Sequence, residues 1–270
     1  MRTLIDKYLV DQKRSILEGV RYTAIVSTGR TGTKFLGNSF SHIPYVLSIH
    51  EPKPVLNDVG RDLTVGKLNS VQVQKRFLNG RQQIIKEAKG NKVNHIIESN
   101  GGLTFLLDEL NSIIPDFKVI HIIRDPFDMI SSGVSRMDNQ NEQRYSKDSN
   151  WLFKTRDYPN DPNFRNWNSL DIYERFAWIW QFKNQHLSEW CESNENGISV
   201  KFEEIFHSGS AWSQILSFLD LEYFDLSNEK KFKNSNEVQF ADDRSTWPSA
   251  RKEKVRALIE SLARKFDYKI

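Results

Sequence analysis

The sequence predicts an α/β fold in which a central, mainly parallel sheet is flanked by helices. Short apolar segments alternate with longer segments of helical periodicity, which is the order expected for parallel strands joined by helices. The segment Lys118–Ile123 is the clearest strand, because it is rich in β-branched residues and nearly continuous in apolar ones. Such strands are typical of a sheet that is covered on both faces. A chain of 270 residues can bury a substantial core, and we expect residues 1–270 to form a single domain.

The predicted elements follow one another without an internal repeat or a low-complexity segment. We expect strands over residues 22–27, 46–49, 95–98, 118–123 and 197–202, and helices over residues 1–20, 34–40, 54–92, 103–110, 170–190, 212–219 and 251–266. Residues 137–170 and 227–250 are polar and are predicted to be irregular. Because long irregular segments are usually functional or disordered, the insertion at about residues 137–170 is a candidate lid over an acceptor molecule.

Composition and charge argue against several classes of protein. The net charge of +3 and the isoelectric point near 8.8 do not by themselves indicate nucleic-acid binding, although they suit an anionic ligand. The N-terminal residues contain no apolar run that is long enough for a signal peptide or a membrane anchor. Cys191 is the single cysteine, which excludes an intrachain disulfide and favours a reducing compartment. We therefore expect a cytoplasmic protein with no nucleic-acid partner and no membrane span.

The first candidate site is the loop that joins the first predicted strand to the next helix, Gly29–Lys34. Its two glycines allow a tight turn and a close approach of the backbone to a ligand. Backbone N–H groups at the start of a helix favour an anion, and Arg30, Thr33 and Lys34 add charge and a hydroxyl donor. The loop lacks the Gly-Lys-Ser/Thr of the Walker motif, which disfavours a usual ATP or GTP site. An ordinary strand–helix turn with incidental charges is the alternative.

The second candidate site follows the strand Lys118–Ile123, which leads directly into Arg124. Pro126 suits the first turn of a following helix, and Ser132 lies about two turns along that helix. Arg124 at the strand end and Ser132 on the helix can therefore converge on one phosphate group.

In order and spacing, these two elements resemble those of the sulfotransferases that use 3′-phosphoadenosine 5′-phosphosulfate (PAPS). In that family, a loop of the form Lys/Arg-Ser/Gly-Gly-Thr holds the 5′-phosphosulfate, and a later strand–Arg–x7–Ser element holds the 3′-phosphate. The segment Val200–Ile205 also resembles a later strand of the family. The resemblance covers scattered patches over roughly residues 20–205.

The resemblance implies a P-loop-containing nucleotide hydrolase-like sulfotransferase fold and PAPS as the sulfuryl donor, with no metal ion. The residues that it assigns to PAPS binding are Arg30, Thr31, Gly32, Thr33, Lys34, Phe35, Arg124 and Ser132. Lys34 departs from the family, since many members have a second Thr there, and Phe202 stands where Tyr is frequent. The basic, Gly-containing segment near the C-terminus of cytosolic members is missing, and the candidates to replace it are Arg244, Arg251 and Lys252.

Sulfuryl transfer needs a cation beside the bridging oxygen, where negative charge grows, and a base for the acceptor's proton. The resemblance implies that Arg30 takes the first role, with Lys34 as a helper. For the base we choose Glu51 first and His50 second, because they end a predicted strand, where doubly wound folds bind ligands. Family members similar to the protein-tyrosine and heparan sulfotransferases carry a catalytic Glu at about this distance from the first loop. A loop Glu that only caps or is solvated is the alternative.

For several other polar and aromatic residues, a structural role is the alternative to a role in the site. Glu98 and Asn100 end another predicted strand, where they either orient the acceptor or hydrogen-bond the loop. Cytosolic members place a catalytic His near this point, but the residue here is Gly102. A structural role is expected for His42, His121, His186 and His207, and for the helix residues Tyr173, Phe176, Ala177, Trp180 and Phe182.

The insertion offers aromatic and basic residues to an acceptor. Trp151, Phe153 and Trp167 are candidates for acceptor contact. Basic residues in the same stretch indicate either a solvated loop or an anionic acceptor, such as a glycan or an acidic peptide; they are Arg136, Arg144, Lys147, Arg156 and Arg165.

The sequence therefore predicts transfer of a sulfuryl group from PAPS to a hydroxyl or amine acceptor, which leaves 3′-phosphoadenosine 5′-phosphate (PAP). Two alternatives stay open. One is a P-loop-type kinase that uses ATP, and the other is a non-catalytic nucleotide-binding module on the same fold.

Overall fold

The fold is built on five parallel strands that lie between two layers of helices. It is given by a computed structural model, which describes residues 2–140, 153–205, 210–224 and 244–270. The strands are β1 (Arg21–Ser27), β2 (Val46–His50), β3 (His95–Ser99), β4 (Asp116–Ile123) and β5 (Gly197–Lys201). The helices are α1 (Arg2–Arg14), α2 (Thr33–Phe40), α3 (Asn57–Thr64), α4 (Ser70–Gly90), α5 (Leu107–Asn111), α6 (Pro126–Gln140), α7 (Ile172–Ser193), α8 (Ser210–Phe218) and α9 (Ser249–Lys265).

The strands run parallel in the order β2-β3-β1-β4-β5, so the predicted α/β class with a mainly parallel sheet is confirmed. The central strand β1 separates two cores. Tyr22, Ala24 and Val26 face a core that α1, α4 and α5 cover, whereas Ile25 faces a core that α2 and α8 cover. Successive side chains of a strand point to opposite faces. Because both faces are covered, the strand is buried on both sides, as the sequence indicated.

The carboxyl ends of the strands meet at one edge of the sheet, and this edge carries both predicted phosphate elements. β1 and β4 are neighbours, with Ser27 paired to Ile122, so the loop after β1 lies beside the end of β4. On the other side of β1, the register pairs Ile25 with Ser99 of β3. Ser99 in turn pairs with His50 at the end of β2. Open α/β sheets bind ligands outside such an edge.

The carboxylate of Glu98 belongs to a buried network. Arg81 from α4 donates to it from Nε at 2.6 Å and from Nη2 at 2.7 Å, and both side chains are fully buried. The hydroxyl of Tyr22 and Nδ2 of Asn100 also donate to it. The Asn100 amide further donates to the carbonyl of Val55 at 3.0 Å. Of the two roles left open for Glu98 and Asn100, these contacts favour the one that holds the loops.

The helical segment expected over residues 54–92 consists of two helices. Helix α3 ends at Thr64, and Gly66 then adopts a left-handed φ of +74°, which breaks the helix. Asn69 and Gln72 form a reciprocal capping box that begins α4.

The described part of the insertion is mostly irregular, and its regular structure consists of the end of helix α6 and one short 3-10 turn. Helix α6 continues to Gln140, and residues 153–171 form a short 3-10 turn followed by further turns. Trp167 is 1% exposed and packs edge-on against Trp178, with ring centroids 6.0 Å apart. The prediction that Trp167 contacts the acceptor is therefore wrong, because the ring fills an aromatic core. Arg144, Lys147, Trp151, His207 and the stretch 225–243 lie outside the described residues.

Two features are absent from the described residues. None of the helices in these ranges has the length and apolar character needed to cross a membrane. Within the same residues, no group of three or more His, Cys, Asp or Glu side chains is placed to hold a metal ion.

Candidate active site

A cavity of about 110 Å³ opens at the carboxyl edge of the sheet. One side of its wall is the loop after β1, and another is the segment after β2, including Glu51. The turn Gly101–Gly102 and side chains from α6 and α7 complete the wall. The cavity therefore joins the predicted phosphate loop to the predicted base.

The loop after β1 has an unusual backbone. Gly29, Arg30 and Gly32 have φ values of +89°, +60° and +70°, in the left-handed region. Such conformations at a strand–helix turn form concave arrangements of N–H groups that bind anions. Gly32 precedes the first residue of α2, and no side chain caps that helix. The N-terminus of α2 thus suits an anionic group.

The two predicted phosphate elements are in direct contact. Nη1 of Arg124 donates a hydrogen bond to the carbonyl oxygen of Arg30 at 2.9 Å. Nε of Arg30 donates to Oγ of Ser132 at 3.0 Å. Ser132 is 2% exposed, so its hydroxyl is fixed within α6. Residues that lie far apart in the sequence therefore form one cluster at the edge of the sheet.

The guanidinium of Arg124 is held by its surroundings. It lies over the ring of Phe202, 4.4 Å from the ring centroid, and Trp180 donates to its backbone carbonyl at 3.0 Å. Burial lowers the pKa of Arg124, and the nearby carboxylates of Asp128 and Glu203 oppose that shift. Phe202, which departs from the frequent Tyr, thus serves as a flat support for the cation.

Arg244, one of the candidates for the missing basic segment, contacts the residues that follow Arg124. Its Nη1 is 3.1 Å from Oδ1 of Asp125 and 3.4 Å from Oδ1 of Asp128, at the start of α6. Arg251 instead lies over the ring of Tyr173, 3.9 Å from its centroid.

The other predicted donor-binding residues are spread around the loop. Thr33 lines the cavity, whereas Lys34 is exposed on the first turn of α2. Thr31 is buried, and its Oγ1 has no hydrogen-bond partner among the described residues. Phe35 is half-buried on α2. Of the six loop residues predicted to bind PAPS, Arg30 and Thr33 are the ones that line the cavity.

Glu51 and His50 occupy different positions at the end of β2. Glu51 lines the cavity, has an exposed side chain and adopts a positive φ of +44°, while its N–H donates to the carbonyl of Ser99 at 3.0 Å. His50 is half-buried and its Nδ1 lies 3.1 Å from Oγ of Ser99. Burial lowers the pKa of His50, and Lys34 lowers it further, whereas Glu51 raises it. Glu51 is therefore the residue of the two that can reach a molecule in the cavity.

Gly102 explains why a catalytic His is missing at this point. A Cβ atom there would lie 2.2 Å from the carbonyl oxygen of Val55 and 3.0 Å from Oδ1 of Asn100. No side chain fits at this distance, so the backbone packing excludes a His at this position. Glu51 is the carboxylate in the cavity wall.

Sequence reasoning missed Lys183, which lines the cavity from α7. It is 8% exposed, and burial lowers its pKa to about 8, while Glu51 opposes the shift. The available signal was its position: Phe176, Ile179 and Lys183 follow the spacing of one face of a helix. Phe153, in contrast, was predicted to contact an acceptor, and it does line the cavity.

The histidines and aromatic residues expected to be structural are mostly packed inside. His121 bonds Oδ1 of Asn184 at 2.9 Å and Oγ of Ser199 at 3.0 Å. His186 packs on Phe105, with ring centroids 4.7 Å apart, whereas His42 is exposed. Phe176, Ala177 and Trp180 are buried, as expected for residues on the core-facing side of a helix. Arg156 and Arg165 are exposed and do not line the cavity.

Comparison with solved structures identifies the fold. The sulfotransferase domain from the curacin biosynthetic pathway matches with a TM-score of 0.55 and 14% identity, covering 93% of this chain and 99% of that one. The sulfotransferase domain from the Synechococcus PCC 7002 olefin synthase matches with a TM-score of 0.55 and 15% identity, covering 93% and 95%. Mouse sulfotransferase SULT7A1, complexed with PAP, matches with a TM-score of 0.50 and 15% identity, covering 90% and 85%.

No protein-family model and no curated protein matches the sequence. The structural likeness, at 14–15% identity, shows that this chain has the sulfotransferase fold, and that prediction is confirmed.

Proposed function

We propose that this chain is a PAPS-dependent sulfotransferase, which transfers a sulfuryl group to a hydroxyl or amine group of an acceptor. The observation that carries the proposal is the contact between the two phosphate elements. Arg124 donates to the carbonyl of Arg30 at 2.9 Å, and Arg30 donates to Ser132 at 3.0 Å. Residues assigned by sequence to the two phosphate-binding ends of one donor thus lie together in a sulfotransferase fold.

The chain's own groups suit the two ends of the donor. The uncapped N-terminus of α2 and the left-handed loop before it favour the 5′-phosphosulfate. Arg124 and Ser132 would hold the 3′-phosphate through charge-assisted hydrogen bonds. The buried hydroxyl of Thr31, which lacks a partner among the described residues, offers a further polar atom.

The reaction exchanges one bond to sulfur for another, and PAPS supplies the sulfuryl group. The acceptor's oxygen or nitrogen forms a bond to sulfur while the bond from sulfur to the 5′-phosphate oxygen breaks, and that oxygen keeps the electron pair. Glu51 takes the proton that the acceptor loses. Arg30 neutralises the charge that develops on the leaving phosphate oxygen.

A P-loop-type kinase fits this site less well. It would need a Gly-Lys-Ser/Thr loop, whereas Gly32 is followed here by Thr33. It would also need an acidic strand end for Mg²⁺, whereas β4 is followed by Arg124.

We expect PAP to raise the melting temperature more than Mg-ATP does at the same concentration, because the tighter of two ligands that bind the folded state stabilises it more. Differential scanning fluorimetry of the full chain measures both shifts. A larger shift with Mg-ATP would contradict the proposal and favour the kinase.

A measurement of turnover distinguishes the proposed enzyme from a non-catalytic nucleotide-binding module. We expect labelled PAPS to transfer its label to at least one of several acceptor classes, including phenols, aliphatic alcohols, amines and glycans. Binding of PAP without transfer to any class would favour the module.

A further inference from the structure

Lys183 is a buried cation in the wall of the candidate active site. It projects from the middle of α7, is 8% exposed, and lines the same cavity as Arg30 and Glu51. Two apolar residues of the same helix, Phe176 and Ile179, line the cavity with it. The ammonium therefore lies between an apolar wall and the space that a ligand would fill.

The ammonium group has no anionic partner among the described residues. It lies over the ring of Phe153, with Nζ 5.2 Å from the ring centroid. A cation–π contact recovers part of the lost hydration of an ammonium group. An unpaired buried charge is nevertheless costly, and an apolar residue of similar size would be more stable in a purely structural position.

Glu51 does not remove this cost. Its charge favours the ammonium form of Lys183, but its carboxylate makes no ion pair with Lys183 and is exposed at the end of β2. The carboxylate is thus placed to act on a ligand in the same cavity.

We infer that Lys183 binds an anionic group of the acceptor, which is therefore a hydroxylated or aminated molecule with an apolar body and a carboxylate or similar anion. The inference rests on the proposed function. The acceptor's anion would lie on Lys183, its apolar body against Phe153, Phe176 and Ile179, and its reacting group near Glu51. The exposed basic residues of the insertion, Arg156 and Arg165, are not part of this site.

The inference can be tested by binding, without knowledge of the natural acceptor. Calorimetry in saturating PAP would compare para-hydroxyphenylacetate with its amide, and omega-hydroxydecanoate with its amide. We expect wild type to bind at least one carboxylate about tenfold or more tightly than its amide, the usual range for a charge-assisted hydrogen bond. Lys183→Met should reduce this ratio to about one, and Lys183→Arg should keep most of it.

Lys53→Met is the matched control. Lys53 is an exposed lysine two residues after Glu51 and does not line the cavity, so its loss removes the same charge near the mouth. The control should keep the preference for the carboxylate. PAP affinity itself should be the same in wild type and Lys183→Met, because Lys183 is assigned to the acceptor.

Three outcomes would overturn the inference: no preference for a carboxylate in wild type, an unchanged preference in Lys183→Met, or a loss of PAP affinity in Lys183→Met. The last would assign Lys183 to the donor. Failure of the proposed function is a different result, since wild type would then either not bind PAP or bind it without transferring the label of PAPS to any acceptor.

The pH dependence of stability provides a second readout. Below its folded pKa of about 8, Lys183 is charged in the folded chain, and its burial opposes folding; an unfolded Lys has a pKa of 10.5. Without ligand, Lys183→Met should therefore melt above wild type at pH 7. The difference should shrink as the pH rises from about 8 to 10.5, where wild type loses the charge. A Lys183→Met variant that melts below wild type at pH 7 would contradict an unpaired buried ammonium.

Discussion

Glu51→Gln is expected to reduce turnover about 10²–10⁴-fold at saturating PAPS, the usual contribution of a positioned general base. The substitution keeps the shape of the side chain and removes its basicity. Glu51 lines the cavity from the end of β2, whereas Arg124 and Ser132, which are assigned to the 3′-phosphate, are not part of its wall. PAP affinity should therefore change little. Transfer of label from PAPS to one acceptor measures turnover, and calorimetry measures PAP binding.

Two further variants make this result decisive. Glu87→Gln makes the same change on the exposed face of α4 and should keep normal turnover. His50→Ala should have a smaller effect than Glu51→Gln, because His50 is held at Ser99 and is not part of the cavity wall. Near-normal turnover of Glu51→Gln together with loss of turnover in His50→Ala would instead identify His50 as the base. If both variants stay active, the base is neither of them.

Arg124→Ala is expected to weaken PAP binding by about 1.5–3 kcal/mol, which is about 10–150-fold. The change removes a charge-assisted contact and leaves the 3′-phosphate without its main counter-charge. It also removes the hydrogen bond to the carbonyl of Arg30, so the first loop loses a support. Calorimetry with PAP measures the loss.

Controls separate this effect from a general loss of structure. Arg264→Ala removes an exposed arginine of α9, whose partner Glu260 lies one turn away, and should leave PAP affinity unchanged. Ser132→Ala should weaken PAP binding less than Arg124→Ala does, because it removes a neutral donor. An unchanged affinity of a folded Arg124→Ala variant would refute the assignment of the 3′-phosphate site.

The sheet and the phosphate elements could be predicted because they depend on local sequence. An apolar run such as Lys118–Ile123 has few alternatives to a covered strand. Parallel strands have their carboxyl ends at one edge, and the pairing of β1 with β4 then brings Arg124 close to Arg30. The contact between Arg30 and Arg124 thus follows from the order of the strands, without reference to how side chains pack.

The features that could not be predicted depend on packing between distant segments. Lys183 lies on the same face of α7 as Phe176 and Ile179, but a lysine on a helix usually extends its ammonium group into solvent. Here the packing of the cavity wall keeps the side chain buried, and that packing cannot be read from the helix alone. Trp167 looked like a surface aromatic in a polar stretch, yet it fills a core beside Trp178. Glu98 ends a strand just as Glu51 does, and its neutralisation by Arg81 from α4 cannot be read from local sequence.

The central claim is that this site binds both the 5′-phosphate and the 3′-phosphate of a 3′-phosphorylated adenosine donor. Calorimetric comparison of PAP with 5′-AMP on wild-type protein tests it most directly, because the two ligands differ in the 3′-phosphate alone. If Arg124 and Ser132 bind that phosphate, PAP should bind at least about tenfold more tightly, which corresponds to about 1.4 kcal/mol or more. Equal affinity for the two nucleotides would contradict the account.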